Sequence, residues 1–219
     1  MIKLIIFDLD GTLLDTLEDL ATSVNYALTK NNFLSHSIES YKYFIGNGVN
    51  NLINKALPVD VQNKDMVAKV KTDFLENYFK NVDNLTKPYP GIIHLLKSLE
   101  AKGYKMAVAS NKMHEATVNL VNKFFAEINF ISILGQRDGF PTKPNPSILE
   151  EIIHKAGFDK SEVLYVGDSG VDVACAYNAR IEFIGVLWGF RPRKELEEVG
   201  ASIFASTSEE LMSLIKRLK

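Results

Sequence analysis

The sequence contains a single cysteine, Cys175, in a chain of 219 residues. One cysteine excludes an internal disulfide, so the disulfide-rich secreted domains are excluded and a reducing, cytoplasmic setting fits. Cys175 lies within VACAYNA, a helical stretch of small residues. In that context we interpret it as a small core residue rather than a reactive thiol.

Long apolar runs and an excess of one charge are also missing. No run approaches the ~20 apolar residues that a membrane span needs. The first residues, MIKLIIFDLD, do not match a signal peptide because Asp8 interrupts the apolar run. The formal net charge is −2, which creates no basic field for a nucleic acid or an anionic membrane. We therefore expect a globular, cytoplasmic monomer or weak homodimer that binds neither nucleic acid nor membranes.

The periodicity of the apolar residues predicts an α/β fold. Residues 2–7 (IKLIIF) have the continuous apolar pattern of a strand buried on both faces. In the second part of the chain, short apolar runs alternate with helical patterns. The predicted strands are 104–110, 130–135, 163–168, 183–189 and 202–206. This alternation is typical of a Rossmann-like parallel sheet flanked by helices.

The segment 15–84 differs, because its apolar residues follow helical spacing throughout. Asp15 and Glu18 resemble a capping pair at the start of its first helix. The strand at 2–7 needs the sheet that is formed by later residues. We therefore predict an α/β core domain made of 1–14 and 85–219, interrupted by a small α-helical domain at 15–84.

Polar side chains gather where the predicted strands end. Ligands of open α/β sheets bind beyond the carboxyl ends of the strands. The residues expected at that edge are Asp8, Asp10, Ser110, Asn111, Lys143, Asp168 and Asp172. Two carboxylates ~4 Å apart repel by about 4 kcal/mol at an effective dielectric constant near 20. A divalent cation such as Mg²⁺ removes this repulsion and commonly bridges to a phosphate.

The other groups at this edge favour an anionic ligand. Lys143 adds a positive charge, and the backbone N–H groups around Ser110 and Asn111 lead into a helix start, where phosphate oxygens bind well. The residues alone therefore predict a magnesium-dependent site for a phosphorylated ligand.

Four motifs in this order resemble those of the haloacid dehalogenase superfamily. They are FDLDGTLLDT at 7–16, SN at 110–111, Lys143 within KPNP, and GDSGVD at 167–172. The resemblance covers essentially the whole chain. It implies that the helical segment is a cap that closes over the active site, where closure excludes water.

The resemblance also implies covalent catalysis by a phosphatase. Asp8 would attack phosphorus and form an aspartyl phosphate, while Asp10 would act as general acid and then as general base. Gly11 would supply the backbone freedom that this geometry requires next to the substrate. Thr12 would hold Asp10 by a hydrogen bond.

The remaining site residues are assigned by the same resemblance. The implied metal ligands are Asp8, the Asp10 carbonyl, Asp168 and, directly or through a neighbour, Asp172. Ser110, Asn111 and Lys143 would bind the transferring phosphoryl group and offset its charge.

The segment FIGNGVNNLINKAL at 44–57 resembles the cap of phosphoglycolate phosphatases, as does LWGFRPRKELEEVGA at 187–201. In this interpretation the Gly46-Asn47-Gly48 turn reaches the leaving group of the substrate, and Asn47 is a substrate-binding residue. An ordinary turn between helices explains the same residues equally well.

Several alternatives stay open at this point. Sugar phosphomutases of the β-phosphoglucomutase type and inorganic pyrophosphatases of the same superfamily share the catalytic residues, although the phosphomutases usually lack the second acid that Asp172 provides. A carbon–halogen hydrolase would use Asp8 without needing a metal or Asp10. A catalytically silent phosphate-binding module is the alternative outside enzymology.

Overall fold

The computed structural model describes residues 1–218, which contain eight strands and ten α-helices. The strands are β1 (Leu4–Phe7), β2 (Leu14–Asp15), β3 (Lys87–Pro88), β4 (Lys105–Met113), β5 (Phe130–Gln136), β6 (Val163–Gly167), β7 (Glu182–Val186) and β8 (Phe204–Ala205).

The helices divide into two groups along the chain. The first group is α1 (Leu17–Lys30), α2 (Ile38–Phe44), α3 (Gly48–Ala56) and α4 (Lys64–Asn81). The second group is α5 (Ile92–Ala101), α6 (His114–Phe124), α7 (Ser147–Ala156), α8 (Gly170–Ala179), α9 (Arg193–Glu198) and α10 (Ser208–Arg217). None of the helices in residues 1–218 combines the length and the apolar character needed to cross a bilayer.

The main sheet has six parallel strands in the order β5-β4-β1-β6-β7-β8. β1 lies inside the sheet, where Leu4 pairs with Lys105 of β4 and with Val163 of β6. All four residues of β1 are buried, as expected for a strand covered on both faces. The predicted Rossmann-like α/β fold is confirmed.

Alternate residues of β1 face two different hydrophobic clusters. Ile5 and Phe7 pack with residues of α5, α6 and α10 on one face. Leu4 and Ile6 pack with α7 and α8 on the other face, where Cys175 is a buried core residue, as predicted. The period of two along the strand therefore builds both layers of the core.

Helices α1–α4 form a helical insertion (residues 17–81) with a third hydrophobic cluster, which includes Ala21, Val24 and Phe74. The chain enters and leaves this insertion through β2 and β3, which pair antiparallel. Because Asp15 belongs to β2, α1 begins at Leu17 with Thr16 as its N-cap residue. The predicted capping residue, Asp15, is therefore one residue too early.

Candidate active site

The sheet brings the predicted polar residues to one edge. Asp8 directly follows β1, and Asp168 directly follows β6, the strand beside it. Ser110 and Asn111 lie within β4, where the pairing with β5 shifts register between Ala109 and Met113. Such an irregularity near the end of a strand changes the direction in which the side chains point.

Lys143 is the central positive charge of the site. Its ammonium group is almost completely buried and lies 2.9 Å from Asp8 Oδ1 and 2.7 Å from Asp172 Oδ1. It also donates to the Tyr165 hydroxyl at 2.9 Å. Burial acts to lower the pKa of Lys143, but Asp172 and Asp8 more than offset this, so its pKa is raised and it stays charged.

Both carboxylate oxygens of Asp172 are occupied by protein donors. Oδ1 accepts from Lys143 and from the Tyr165 hydroxyl at 2.7 Å. Oδ2 accepts from the backbone N–H and the hydroxyl of Ser169. Asp172 thus orients Lys143 and caps the start of α8.

Asp168 is held by donors from two loops. Its Oδ2 accepts from the Phe190 backbone N–H at 2.7 Å, and its Oδ1 from the Thr12 hydroxyl at 3.3 Å. Gly11 has φ +86°, and a Cβ placed there would lie 2.3 Å from Asp168 Oδ2. Glycine is therefore required at 11 both for its backbone conformation and for the close approach of Asp168.

Three of these carboxylates lie close enough together to hold a divalent cation, and Asp172 among them already accepts bonds from Lys143, Tyr165 and Ser169. Ligand oxygens of Asp8, Asp168 and Asp172 all lie within 4.8 Å of one another. Burial raises the pKa of Asp8 to about 7, even though Lys143 opposes the shift. Burial, and then the charges of Asp172 and Asp8, raise the pKa of Asp168 well above its usual range. A hard cation among these oxygens would stabilise the ionised carboxylates.

Asp10 has partners other than the predicted one. Its Oδ1 accepts from the Thr16 hydroxyl at 2.7 Å, and the Lys112 ammonium donates to Oδ1 at 2.9 Å and to Oδ2 at 3.1 Å. Thr12 instead bonds Asp168, so the prediction that Thr12 holds Asp10 is wrong. The chain folds back after Gly11, whose N–H donates to Leu14 O, and this turn brings Thr16 to Asp10.

The side chain of Asn111 connects three segments. Its Oδ1 accepts from the Lys143 backbone N–H at 2.8 Å, and its Nδ2 donates to Lys143 O and to Gly46 O in the helical insertion. The Ser110 hydroxyl accepts from the Lys112 N–H and lines the cavity beside Asp8. Asn111 therefore fixes the Lys143 loop, and it also lines the cavity.

A cavity between the α/β core and the helical insertion lies over this edge. Its empty volume is about 660 Å³, part of it open to solvent. Asp8, Asp10 and Asp168 line it from the core, and Gly46 and Gly48 line it from the insertion. Asn47 is the N-cap residue of α3 and its side chain makes no capping hydrogen bond. Its role in substrate binding stays a prediction.

Two cavity residues, Lys112 and Tyr78, were missed by the sequence reasoning, whereas the position of Arg191 after a strand had indicated that it lines the pocket. Lys112 directly follows Asn111 in the chain, and this adjacency was the available signal. Tyr78 was recognised only as one position of a helical apolar pattern. Arg191 donates to the carbonyls of Lys42 and Ile45 and so joins the core to the insertion.

Comparison of the chain with known proteins identifies its family. The model of the haloacid dehalogenase-like hydrolases matches residues 5–186. The chain belongs to this family. The resemblance predicted from the four motifs is thereby confirmed.

Several relatives carry more specific names. A phosphoglycolate phosphatase of Haemophilus influenzae is 36% identical over 194 residues, covering 86% of this chain and 87% of its own. One from Mesorhizobium japonicum is 31% identical over 220 residues, covering 98% and 96%. A solved structure from Lactobacillus delbrueckii subsp. bulgaricus is 33% identical with a TM-score of 0.92, covering 97% and 98%.

Proposed function

We propose that the protein is a Mg²⁺-dependent phosphatase that hydrolyses a small phosphorylated metabolite and is phosphoglycolate phosphatase-like. The observation that carries this proposal is the buried group of Asp8, Lys143 and Asp168, which combines a nucleophile, a cation and a metal ligand at one cavity end. The phosphatase names of relatives above 30% identity support the same activity.

In the first step, a carboxylate oxygen of Asp8 attacks phosphorus and the bond from phosphorus to the leaving oxygen breaks. Asp10 gives its proton to that leaving oxygen. In the second step, Asp10 takes a proton from a water molecule, whose oxygen attacks the aspartyl phosphate. Phosphate leaves, and the Asp8 carboxylate is restored.

The other residues stabilise the charge of the transferring phosphoryl group. Lys143 lies against Asp8 and provides the fixed positive charge, while Ser110 and the backbone at Asn111 provide hydrogen bonds. The ligands of Mg²⁺ would be Asp8, the Asp10 carbonyl and Asp168, with Asp172 behind them, and the ion would supply charge neutralisation at the phosphoryl oxygens.

We further infer that residues 15–84 act as a cap domain over a core made of 1–14 and 85–219. The hydrophobic cluster of the helical insertion supports this division, since Ala116 and Phe190 are the buried core residues that join it. The Gly46-Asn47-Gly48 turn approaches the site through the Asn111–Gly46 hydrogen bond, which supports a role near the leaving group.

The test is a p-nitrophenyl phosphate assay with metal-depleted and Mg²⁺-restored protein. Activity is expected to require the metal, and Asp8→Asn is expected to abolish it. Asp60→Asn is the control, since Asp60 is exposed and lies on the helical insertion. Rapid quenching with a labelled substrate is expected to trap covalent phosphate on the parent protein and none on Asp8→Asn. Full turnover without metal, or in Asp8→Asn, would falsify the mechanism.

A further inference from the structure

The α/β core holds the end of α2 and the turn after it by hydrogen bonds to the main chain of the helical insertion. Asn111 Nδ2 donates to Gly46 O at 2.9 Å. Arg191 donates from Nη1 to Lys42 O and from Nη2, at 2.8 Å, to Ile45 O. Because all three acceptors are backbone carbonyls, these contacts fix the path of the chain that lines the cavity at Ile45 and Gly46.

The carboxyl end of α2 depends on a side chain from outside the insertion. The last carbonyls of a helix have no partner within it, and a nearby cation commonly donates to them. The Lys55 ammonium, which belongs to the insertion, donates to Tyr43 O at 2.7 Å. The Lys42 carbonyl accepts instead from Arg191, which belongs to the core. If the insertion moves away from the core, α2 therefore loses one of these two cationic partners.

The guanidinium group of Arg191 is also tied to the core. Its Nε lies 3.3 Å from Glu195 Oε1, and the same oxygen accepts from the Gly170 N–H at the start of α8. Arg191 is 9% exposed, and a guanidinium group presents its N–H donors in a rigid planar fork. Because Nε is bound to the core and the other two nitrogens reach the insertion, Arg191 makes all of these contacts only while the insertion is seated on the core.

The residue before Arg191 holds the carboxylate of Asp168. The Phe190 N–H donates to Asp168 Oδ2 at 2.7 Å, while the Phe190 side chain packs in the hydrophobic cluster of the insertion. Gly189 also lies close, because a Cβ placed there would be 2.3 Å from the Asp168 Cβ. Phe190 and Arg191 therefore both contact the insertion, and the loop that carries them also positions Asp168.

We propose that Arg191 is a positioning residue that couples the seating of the helical insertion on the core to the placement of Asp168. This proposal rests on the phosphatase function and the cap domain proposed above. When the insertion is seated, Arg191 holds its main chain and the Phe190 N–H holds Asp168. When the insertion lifts, Arg191 loses both insertion carbonyls, and the loop that carries Phe190 is less well fixed. Hydrolysis is thereby confined to the state in which the cavity is covered and water is excluded.

The test uses Arg191→Met, which keeps an apolar stem and removes every donor. Arg193→Met is the matched control, since Arg193 is exposed and pairs with Glu197 within α9. Spin labels on cysteines introduced at Leu34 and Tyr177, which are exposed positions of the insertion and of the core, report the distance between the two parts. With Mg²⁺ and inorganic phosphate present, the parent protein and Arg193→Met are expected to show one narrow distance distribution. Arg191→Met is expected to show a second population.

A second readout follows the site of Asp168 and does not depend on turnover. Calorimetric titration with Mg²⁺ is expected to show binding weaker by roughly threefold or more in Arg191→Met than in Arg193→Met, because the donor to Asp168 is less well held. Arg191→Lys is expected to recover part of both effects, since an ammonium keeps the positive charge at the end of α2 but lacks the planar fork.

An unchanged distance distribution in Arg191→Met, or an unchanged affinity for Mg²⁺, would overturn the coupling. Either result would leave the phosphatase function intact, because that function is tested by Asp8→Asn and by the trapped covalent phosphate. A parent protein that hydrolyses no phosphomonoester with Mg²⁺ would overturn both.

Discussion

Asp19 and Thr86 are 67 positions apart, yet the backbone N–H and the hydroxyl of Thr86 both donate to Asp19 Oδ2, at 2.8 and 2.7 Å. The N–H of Leu85 also donates to the same carboxylate. Asp19 is buried at the start of α1, and Thr86 immediately precedes β3. This carboxylate therefore ties together the two chain crossings that carry the helical insertion.

Asp19→Ala is expected to lower the free energy of unfolding by roughly 3 kcal/mol. The substitution removes one buried acceptor and leaves the backbone N–H groups of Leu85 and Thr86 without a partner, while the Thr86 hydroxyl keeps Val82 O as an acceptor. Each unpaired group costs about 1–3 kcal/mol before relaxation. Urea denaturation measures the change. Glu18→Ala is the matched control, because Glu18 is exposed on the same helix and is expected to stay within about 0.5 kcal/mol. Equal losses in the two variants would contradict the role given to Asp19.

Alanine substitutions at Gly11 and Gly103 distinguish the effect of backbone strain from the effect of a displaced site residue. Their φ values are +86° and +84°. A Cβ at Gly11 would collide with Asp168, whereas within the described residues no heavy atom lies within 4 Å of a Cβ at Gly103. Gly103→Ala is expected to cost about 1 kcal/mol of stability and to keep full activity. Gly11→Ala is expected to lose activity at least about 100-fold, because it displaces Asp168 from its place beside Asp8, the proposed nucleophile.

Urea denaturation and the p-nitrophenyl phosphate assay measure the two effects on the same protein samples. A Gly11→Ala variant as active as Gly103→Ala would show that Asp168 tolerates displacement. That result would contradict the assignment of Asp168 to the metal site.

The sequence predicts those parts of the site that depend on the sheet. Asp8, Ser110 and Asp168 follow or end strands whose periodicity is clear, and parallel strands bring their carboxyl ends to one edge. The prediction failed for Thr12, which bonds Asp168 rather than Asp10, and it did not consider Thr16. The turn after Gly11 reverses the chain, and so the more distant Thr16 reaches that carboxylate.

The cavity depends on contacts that sequence spacing does not encode. Tyr78 and Phe74 have the same i,i+4 pattern as any apolar face of a helix. Only the packing of α4 over the core shows that Tyr78 lies beside Lys112, whose ammonium is 5.1 Å from the centre of the Tyr78 ring. The order of the strands is likewise set by long-range pairing, which periodicity within one strand cannot specify.

The ion pair between Arg137 and Glu151 is expected to stabilise the folded protein to an extent that depends on pH. Hydrogen bonds from Arg137, and secondarily from Lys155, lower the pKa of Glu151 to about 2, although partial burial opposes the shift. Because the pKa is lower in the folded state, this stabilisation is complete above about pH 5 and disappears as the pH falls toward 2. Glu151→Gln is expected to cost about 1 kcal/mol at pH 7 and progressively less below pH 5.

Chemical denaturation of both proteins between pH 7 and pH 3 measures this dependence. Glu150→Gln is the neighbouring control, since the pair of Glu150 with Lys160 is exposed and is expected to contribute little at any pH. A stability difference for Glu151→Gln that is the same at pH 3 and at pH 7 would exclude the ion pair as its cause.

A substitution at Thr16 tests the proposed role of Asp10 in proton transfer without changing the charge of any residue. Its buried hydroxyl donates to Asp10 Oδ1 at 2.7 Å, and Thr16→Val removes this bond with almost no change in volume. Since Asp10 is assigned to protonate the leaving oxygen, the effect should depend on the leaving group. We expect kcat to fall roughly tenfold for an alkyl phosphate, whose leaving oxygen needs a proton. For p-nitrophenyl phosphate, whose leaving group departs as a stable anion, we expect a much smaller fall.

The ratio of the two kcat values is the measurement, because a general loss of folded protein cancels from it. Thr72→Val is the matched control, since Thr72 is exposed and its hydroxyl only bonds Ala68 O within α4. An equal fall for both substrates in Thr16→Val would mean that the hydroxyl supports the nucleophile or the metal site instead. In that case the proton transfer would have to be assigned to a group other than Asp10.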